Sequence, residues 1–130
     1  MKVKIDTKEI FHVIRLNESE LSAIMTEELR PRLLTFLQSE TKNVVLNLQD
    51  IETIQDAAAE TLVNIQQKFY EQNASFVICG LRPQVELALD SSGLLEIMNV
   101  TPTESEAWDI VQMEEIEREL LSDDGTGQPD

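Results

Sequence analysis

A chain of 130 residues is the length of one domain and can bury roughly two-thirds of its unfolded surface. Its hydrophobic fraction is 42% with only 5% aromatic, which implies an aliphatic core, and 25 acidic against 10 basic side chains leave a formal charge of −15. That field repels phosphate backbones and anionic headgroups, and no apolar run reaches the ~20 residues of a membrane span, so neither nucleic-acid binding nor membrane insertion is expected.

Val3 and Ile5 alternate with lysines and His12–Leu16 is a short β-rich run, which predicts two opening strands. Asn17–Glu20 is predicted as a turn. Met25, Leu29, Leu33, Phe36 and Leu37 then recur at helical spacing, and Pro31 within that run predicts either a kink or a late helix start. Val44–Leu48 is a continuous apolar strand. From Asp56 to Tyr70 the period is helical again, with Ala58, Leu62, Ile65 and Phe69 on one stripe. Phe76–Cys79 is a second continuous apolar strand closed by Gly80, and runs of this kind belong to a sheet covered on both faces. Pro83 suits the first turn of a short helix through Leu89, with Gly93 as its stop. Leu95–Val100 reads as a strand. Thr103 and Glu106 form a capping box that opens a last helix with Ala107, Ile110, Met113, Ile116 and Leu120 on one side.

The order β-β-α-β-α-β-α-β-α places the chain in the α/β class. It predicts a single domain over residues 1–121, with a mixed, largely parallel sheet of four or five strands and about four helices. Residues 122–130 contain no apolar side chain and are predicted to be a flexible acidic tail.

Chemistry is sparse along this chain. Its one histidine, His12, reads as a hydrogen-bonded strand residue, and its one cysteine, Cys79, as a buried and inert thiol. Cys79 alone excludes an internal disulfide or a cysteine-based zinc site. Four glycines cannot build a phosphate cradle, and no catalytic motif of the HExxH, CxxC or GxSxG kind is present. No enzyme activity, cofactor or metal is therefore expected. The first residues have no apolar signal core, so a reducing cytoplasm is the expected location. Trp108 is expected to pack against the core edge.

The stretch NVVLNLQDIETIQDAAA, residues 43–59, carries a resemblance: a buried strand, a short apolar turn, then an aspartate opening a helix. Together with Ser75–Gly80, Leu81–Val85 and Leu89–Leu94 in the same order, it resembles the STAS domain of anti-sigma factor antagonists. The resemblance runs from about Lys42 to Gln112 and more loosely back to Val3. It implies a STAS-like fold and a module that binds protein partners, such as an anti-sigma factor that is also a serine kinase, a sensor complex or a transporter subunit.

In that family a Ser or Thr in a D-S/T-S/T-G sequence, at the start of the helix, is phosphorylated to release the partner. Here Asp56 matches the aspartate, while Ala57, Ala58 and Ala59 replace the hydroxyl residues and the glycine, with Ala58 matched to the phosphoacceptor. No phosphorylation is expected at Ala58, because a methyl group has no oxygen to modify. The expected partner-binding surface is Asp56, Ala57, Ala58, Ala59 and Glu60, with Asp56 also expected as the helix N-cap. Asp90–Gly93 spells the phosphosite motif, which leaves Ser91 and Ser92 as weak candidates, but its place after a helix reads as a turn. Two alternatives stay open: a small-molecule or nucleotide sensor, and a structural homodimer or scaffold subunit using the last helix.

Overall fold

The computed structural model describes the backbone of residues 1–126 and the side-chain surroundings of residues 1–121. A five-stranded sheet has the order β1-β2-β4-β6-β7, formed by Val3–Thr7, Phe11–Leu16, Asn43–Asn47, Phe76–Cys79 and Val100–Thr101. Only the β1–β2 pair is antiparallel; the rest are parallel, joined by helices α1 (Ala23–Leu34), α2 (Asp56–Glu71) and α3 (Pro83–Ser91). Helix α4 (Glu104–Thr126) comes after the last strand. The α/β class, the largely parallel sheet and the four helices match the expectation.

Register divides the core into two layers. Ile14, Leu46 and Ile78 stand level across β2, β4 and β6, and Val13, Val45 and Val77 form the adjacent row. Successive strand residues point to opposite faces, so these rows need separate cover. The first row packs with Leu29 and Leu33 of α1, Leu62, Ile65 and Phe69 of α2, and Val85 and Leu89 of α3. The second row is covered by α4 through Ala107 and Val111, with Trp108 and Ile110 at the margin. Trp108 packs edge-on to Phe11 at 5.4 Å between ring centres, and Lys8 Nζ lies 5.4 Å from its ring.

Several boundaries differ from expectation. Two-residue strands β3 (Glu20–Leu21) and β5 (Thr53–Ile54) pair in parallel as a separate small sheet, too short to show any alternation. Helix α1 begins at Ala23, eight residues before Pro31, capped by the Ser22 side chain, which accepts the Met25 N–H. Pro31 does not delay it; the chain tightens into a 3-10 turn over Thr35–Gln38, and the Thr35 hydroxyl donates to the Pro31 carbonyl at 2.6 Å. The expected strand over 95–100 is mostly a 3-10 turn, Leu95–Ile97, with β7 confined to Val100–Thr101. There the Ile97 and Met98 amides turn back onto the Leu94 and Leu95 carbonyls, and Glu96 and Ile97 face solvent, so no ladder forms. α4 is assigned through Thr126, while residues 127–130 and all side chains from 122 on lie outside the described residues, and with them the expected tail.

The last helix is turned differently from the expected stripe. Ala107 and Val111 face the sheet, but Met113, Ile116 and Leu120 are exposed. Polar contacts set this rotation. Glu114 Oε1 accepts from the Tyr70 hydroxyl at 2.8 Å and the Ser75 hydroxyl at 2.6 Å. One helical turn later, Arg118 pairs with Glu115 at 2.7 Å and donates to Asn43 Oδ1 and Ser75 Oγ. Burial, and then the Glu114 carboxylate that accepts its proton, push the Tyr70 phenol well above its ordinary range. The folded state thus holds this proton more tightly than the unfolded chain does. Its contribution is complete below the unfolded value of about 10 and is lost as pH rises beyond it. Urea unfolding between pH 9 and 11.5 is expected to show a steeper loss of stability for the native chain than for Tyr70→Phe; parallel curves would contradict this.

Candidate interaction surface at the start of helix α2

The chain leaves β4 at the C-terminal edge of the sheet. Leu48 and Ile51 are fully buried, and the Ile51 amide turns back to the Leu48 carbonyl at 3.0 Å, so residues 48–51 fold over the sheet edge. The Glu52 amide donates to the Ser19 carbonyl and the Gln55 amide to the Leu21 carbonyl. These bonds hold Gln55 extended, at φ −79° and ψ 147°, the geometry a helix cap requires. Gln55, not Asp56, is therefore the N-cap residue, and its side chain does no capping. Instead Gln55 Oε1 accepts the Ala23 N–H at 2.8 Å and ties the starts of α1 and α2 together. Asp56 is the first residue of α2, where its carboxylate meets the positive end of the helix dipole.

The five expected surface residues divide. Asp56, Ala57 and Glu60 are exposed, whereas Ala58 and Ala59 are 0% and 2% exposed and belong to the core. Three consecutive helix positions span about 200° of the circumference, so they cannot all face solvent. The next hydroxyl, that of Thr61, is turned inward, 3.0 Å from the Ala57 carbonyl oxygen and 3.2 Å from Glu27 Oε2. The Arg30 hydrogen bond holds the Glu27 carboxyl below its usual range. Residues 47–61 contain Asp50, Glu52, Asp56 and Glu60 but no lysine or arginine.

Neighbouring segments brace this acidic edge. Asn17 Nδ2 donates to Asp50 at 2.8 Å, and Arg82 Nε donates to the Gln49 carbonyl at 2.8 Å, which sets Leu81–Pro83 beside the loop. Asn47 Oδ1 accepts the Gln49 amide at 2.9 Å, and Asn47 Nδ2 donates to Glu104 of α4 at 3.0 Å. Gly80 (φ +76°) stands against this asparagine; a Cβ there would lie 2.8 Å from Asn47 Oδ1 and 3.3 Å from Gln49 Cβ. Ile24, on the first turn of α1, is 74% exposed.

The other singled-out residues lie elsewhere. Ser91 and Ser92 are exposed at the end of α3, where the Gly93 amide bonds to the Asp90 carbonyl and the Leu94 amide to the Leu89 carbonyl. That pair of bonds, with Gly93 at φ +78°, is the Schellman closure of a helix. His12 Nε2 donates to the Thr41 carbonyl, Nδ1 bonds to the Thr7 hydroxyl, and the ring stacks on Phe36. Cys79 is buried, and burial, with Glu104 adding to it, pushes its thiol up to about 12. A recess of 360 Å³ between α3 and β7 is lined by Leu81, Leu95, Met98 and Val100, and its one charged group is the Glu86 carboxylate. Nothing in that lining would counter the charge of a phosphorylated ligand. Among the described residues no helix is long and apolar enough to cross a membrane.

The chain belongs to the STAS domain family, whose model matches residues 2–107. Solved structures share the fold. A Thermotoga maritima protein assigned to the anti-sigma factor antagonists superposes with a TM-score of 0.71 at 21% identity, over 85% of this chain and 94% of that one. A variant of RsbS from Moorella thermoacetica gives 0.71 at 19%, over 86% and 96%. The phosphorylated form of the Bacillus cell-fate determinant SpoIIAA gives 0.62 at 20%, over 85% and 99%.

Two substitution pairs test this geometry. Gly80→Ala and Gly93→Ala both force a methyl-bearing residue into left-handed backbone, a cost of about 1–2 kcal/mol, but open space surrounds Gly93. Gly80→Ala is expected to lower the urea midpoint more than Gly93→Ala does, and an equal loss would contradict the close approach to Asn47. Ala58→Asp buries a carboxylate and is expected to cost about 3 kcal/mol or more, whereas Ala57→Asp stays within about 1 kcal/mol of the native chain. Equal melting temperatures for the two would refute the division between surface and core.

Proposed function

We propose that this chain is a non-catalytic protein-binding module that docks through the exposed first turn of α2, Asp56, Ala57 and Glu60, flanked by Gln49–Gln55 and Leu81–Pro83. One observation carries the reading. The loop that leads into α2 is fastened from both sides, by Ser19 and Leu21 through the small sheet and by Arg82 through the Gln49 carbonyl. A preorganised surface loses little entropy on binding, which is what a docking site needs. The four carboxylates of residues 47–61 favour a partner with a basic face, such as an anti-sigma factor, its associated serine kinase or a sensor assembly in the cytoplasm.

The phosphate switch is absent in this reading. SpoIIAA is known in phosphorylated and unphosphorylated forms, but residues 56–60 of this chain hold no hydroxyl. The family resemblance matches the acceptor position to Ala58, which is buried here beside the exposed Ala57. A methyl group occupies it, and the module stays in its binding form. Ser91 and Ser92 serve as helix-closing residues.

Photo-cross-linking in native cells tests the assignment. A photoreactive residue at position 57 or 60 is expected to yield one discrete protein adduct, and one at Gln38, beyond the C-terminal end of α1, none. No adduct from 57 and 60, or equal adducts from 38, would place the interface elsewhere.

A further inference from the structure

Helix α4 presents a second surface at the other end of the molecule. Glu104 bonds to Asn47, where β4 ends, while Glu115 and Arg118 bond to Asn43, where β4 begins. The helix therefore runs back along the sheet, and its later turns lie away from the start of α2. There its polarity is inverted. Glu114, Glu115 and Arg118 face the body, whereas Met113, Ile116 and Leu120, at i, i+3 and i+7, face solvent with 55%, 55% and 60% of their surface exposed. That spacing is the seam of a helix awaiting another helix. The matched family model ends at residue 107, so this face belongs to the part of the chain beyond it.

Charge selects the occupant. Asp109, Glu117 and Glu119 flank the apolar stripe and are exposed. Arg118, the one cation in residues 104–121, is turned inward and paired with Glu115. Two copies of this face would bring Glu117 and Glu119 against the same carboxylates, which disfavours a homodimer. The charge also repels an anionic membrane. We propose that Met113, Ile116 and Leu120 form a docking seam for an amphipathic helix of a second protein, with leucine-like side chains in its seam and lysine or arginine on both flanks.

The test uses the full chain and a labelled three-heptad peptide with leucine at the seam and lysine at the flanking positions, read by fluorescence anisotropy. Controls are the same peptide with glutamate flanks and a scrambled lysine peptide of equal charge. The lysine-flanked peptide is expected to bind at least tenfold more tightly than either control. Ile116→Asp and Leu120→Asp, both at exposed positions, are each expected to weaken it at least tenfold without changing the melting temperature. Equal binding by the scrambled peptide, no binding by any peptide, or insensitivity to both substitutions would overturn the proposal. So would light scattering that shows the native chain as a dimer and the Ile116→Asp chain as a monomer, because a second copy would then be the occupant.

Discussion

The whole molecule depends on two rows of side chains that share three strands and point in opposite directions. Ile14, Leu46 and Ile78 need cover on one face, and Val13, Val45 and Val77 on the other. Removing one large aliphatic side chain from such a core costs about 2–5 kcal/mol, so neither face can be left open. On the first face α1, α2 and α3 supply leucines, isoleucine, valine and phenylalanine. The second has α4 alone, whose apolar contribution ends near Val111. Hydrogen bonds from Glu114, Glu115 and Arg118 take over where apolar contact stops. They are the reason the helix continues along the sheet instead of peeling away.

The start of α2 obeys the same constraint. Because Leu46 and Leu48 must enter the larger layer, the chain leaves the sheet with Ile51 already drawn inward, and the next residues have only the sheet edge to run along. The small β3–β5 sheet satisfies their backbone groups. A helix that begins there has to bury its third and fourth residues under its own first turn. Ala58 and Ala59 fit there, their methyl groups buried in the same cluster as Leu62. The same packing leaves Ala57 outside, between Asp56 and Glu60.

Those parts of the fold that depend on burial over several residues were legible in the sequence. Val44–Leu48 and Phe76–Cys79 announce themselves as two-sided strands, and Leu62, Ile65 and Phe69 announce α2. Gly93 marks its helix end for a reason that a sequence carries directly, since only glycine enters left-handed backbone without strain. What the pattern could not carry is pairing between distant short segments. β3 and β5 are two residues each and exist because Ser19 and Leu21 lie beside residues 52–55. The cap shift from Asp56 to Gln55 has the same origin, a tertiary hydrogen bond to Leu21. Direction was the other illegible quantity. The run from Ile110 to Leu120 has helical period and apolar content, yet Glu114 and Arg118 find partners in Tyr70, Ser75 and Asn43 and turn the stripe outward. Of the candidate site, the presence of an alanine run after an aspartate was plain in the sequence; which of the alanines meets solvent was a matter of helix phase.

Trp108 gives the second layer an intrinsic reporter. It is the chain's single tryptophan, it sits on the second turn of α4, and its ring lies edge-on to Phe11 of β2. Its indole nitrogen is buried with no hydrogen-bond partner among the described residues, so the ring is held by apolar contact and the nearby Lys8 charge alone. Emission excited at the red edge of the indole band, where Tyr70 does not absorb, is thus a single-site signal from the junction of helix and sheet. Any event that lifts α4 would wet that ring and redden its light before the larger aliphatic layer had opened.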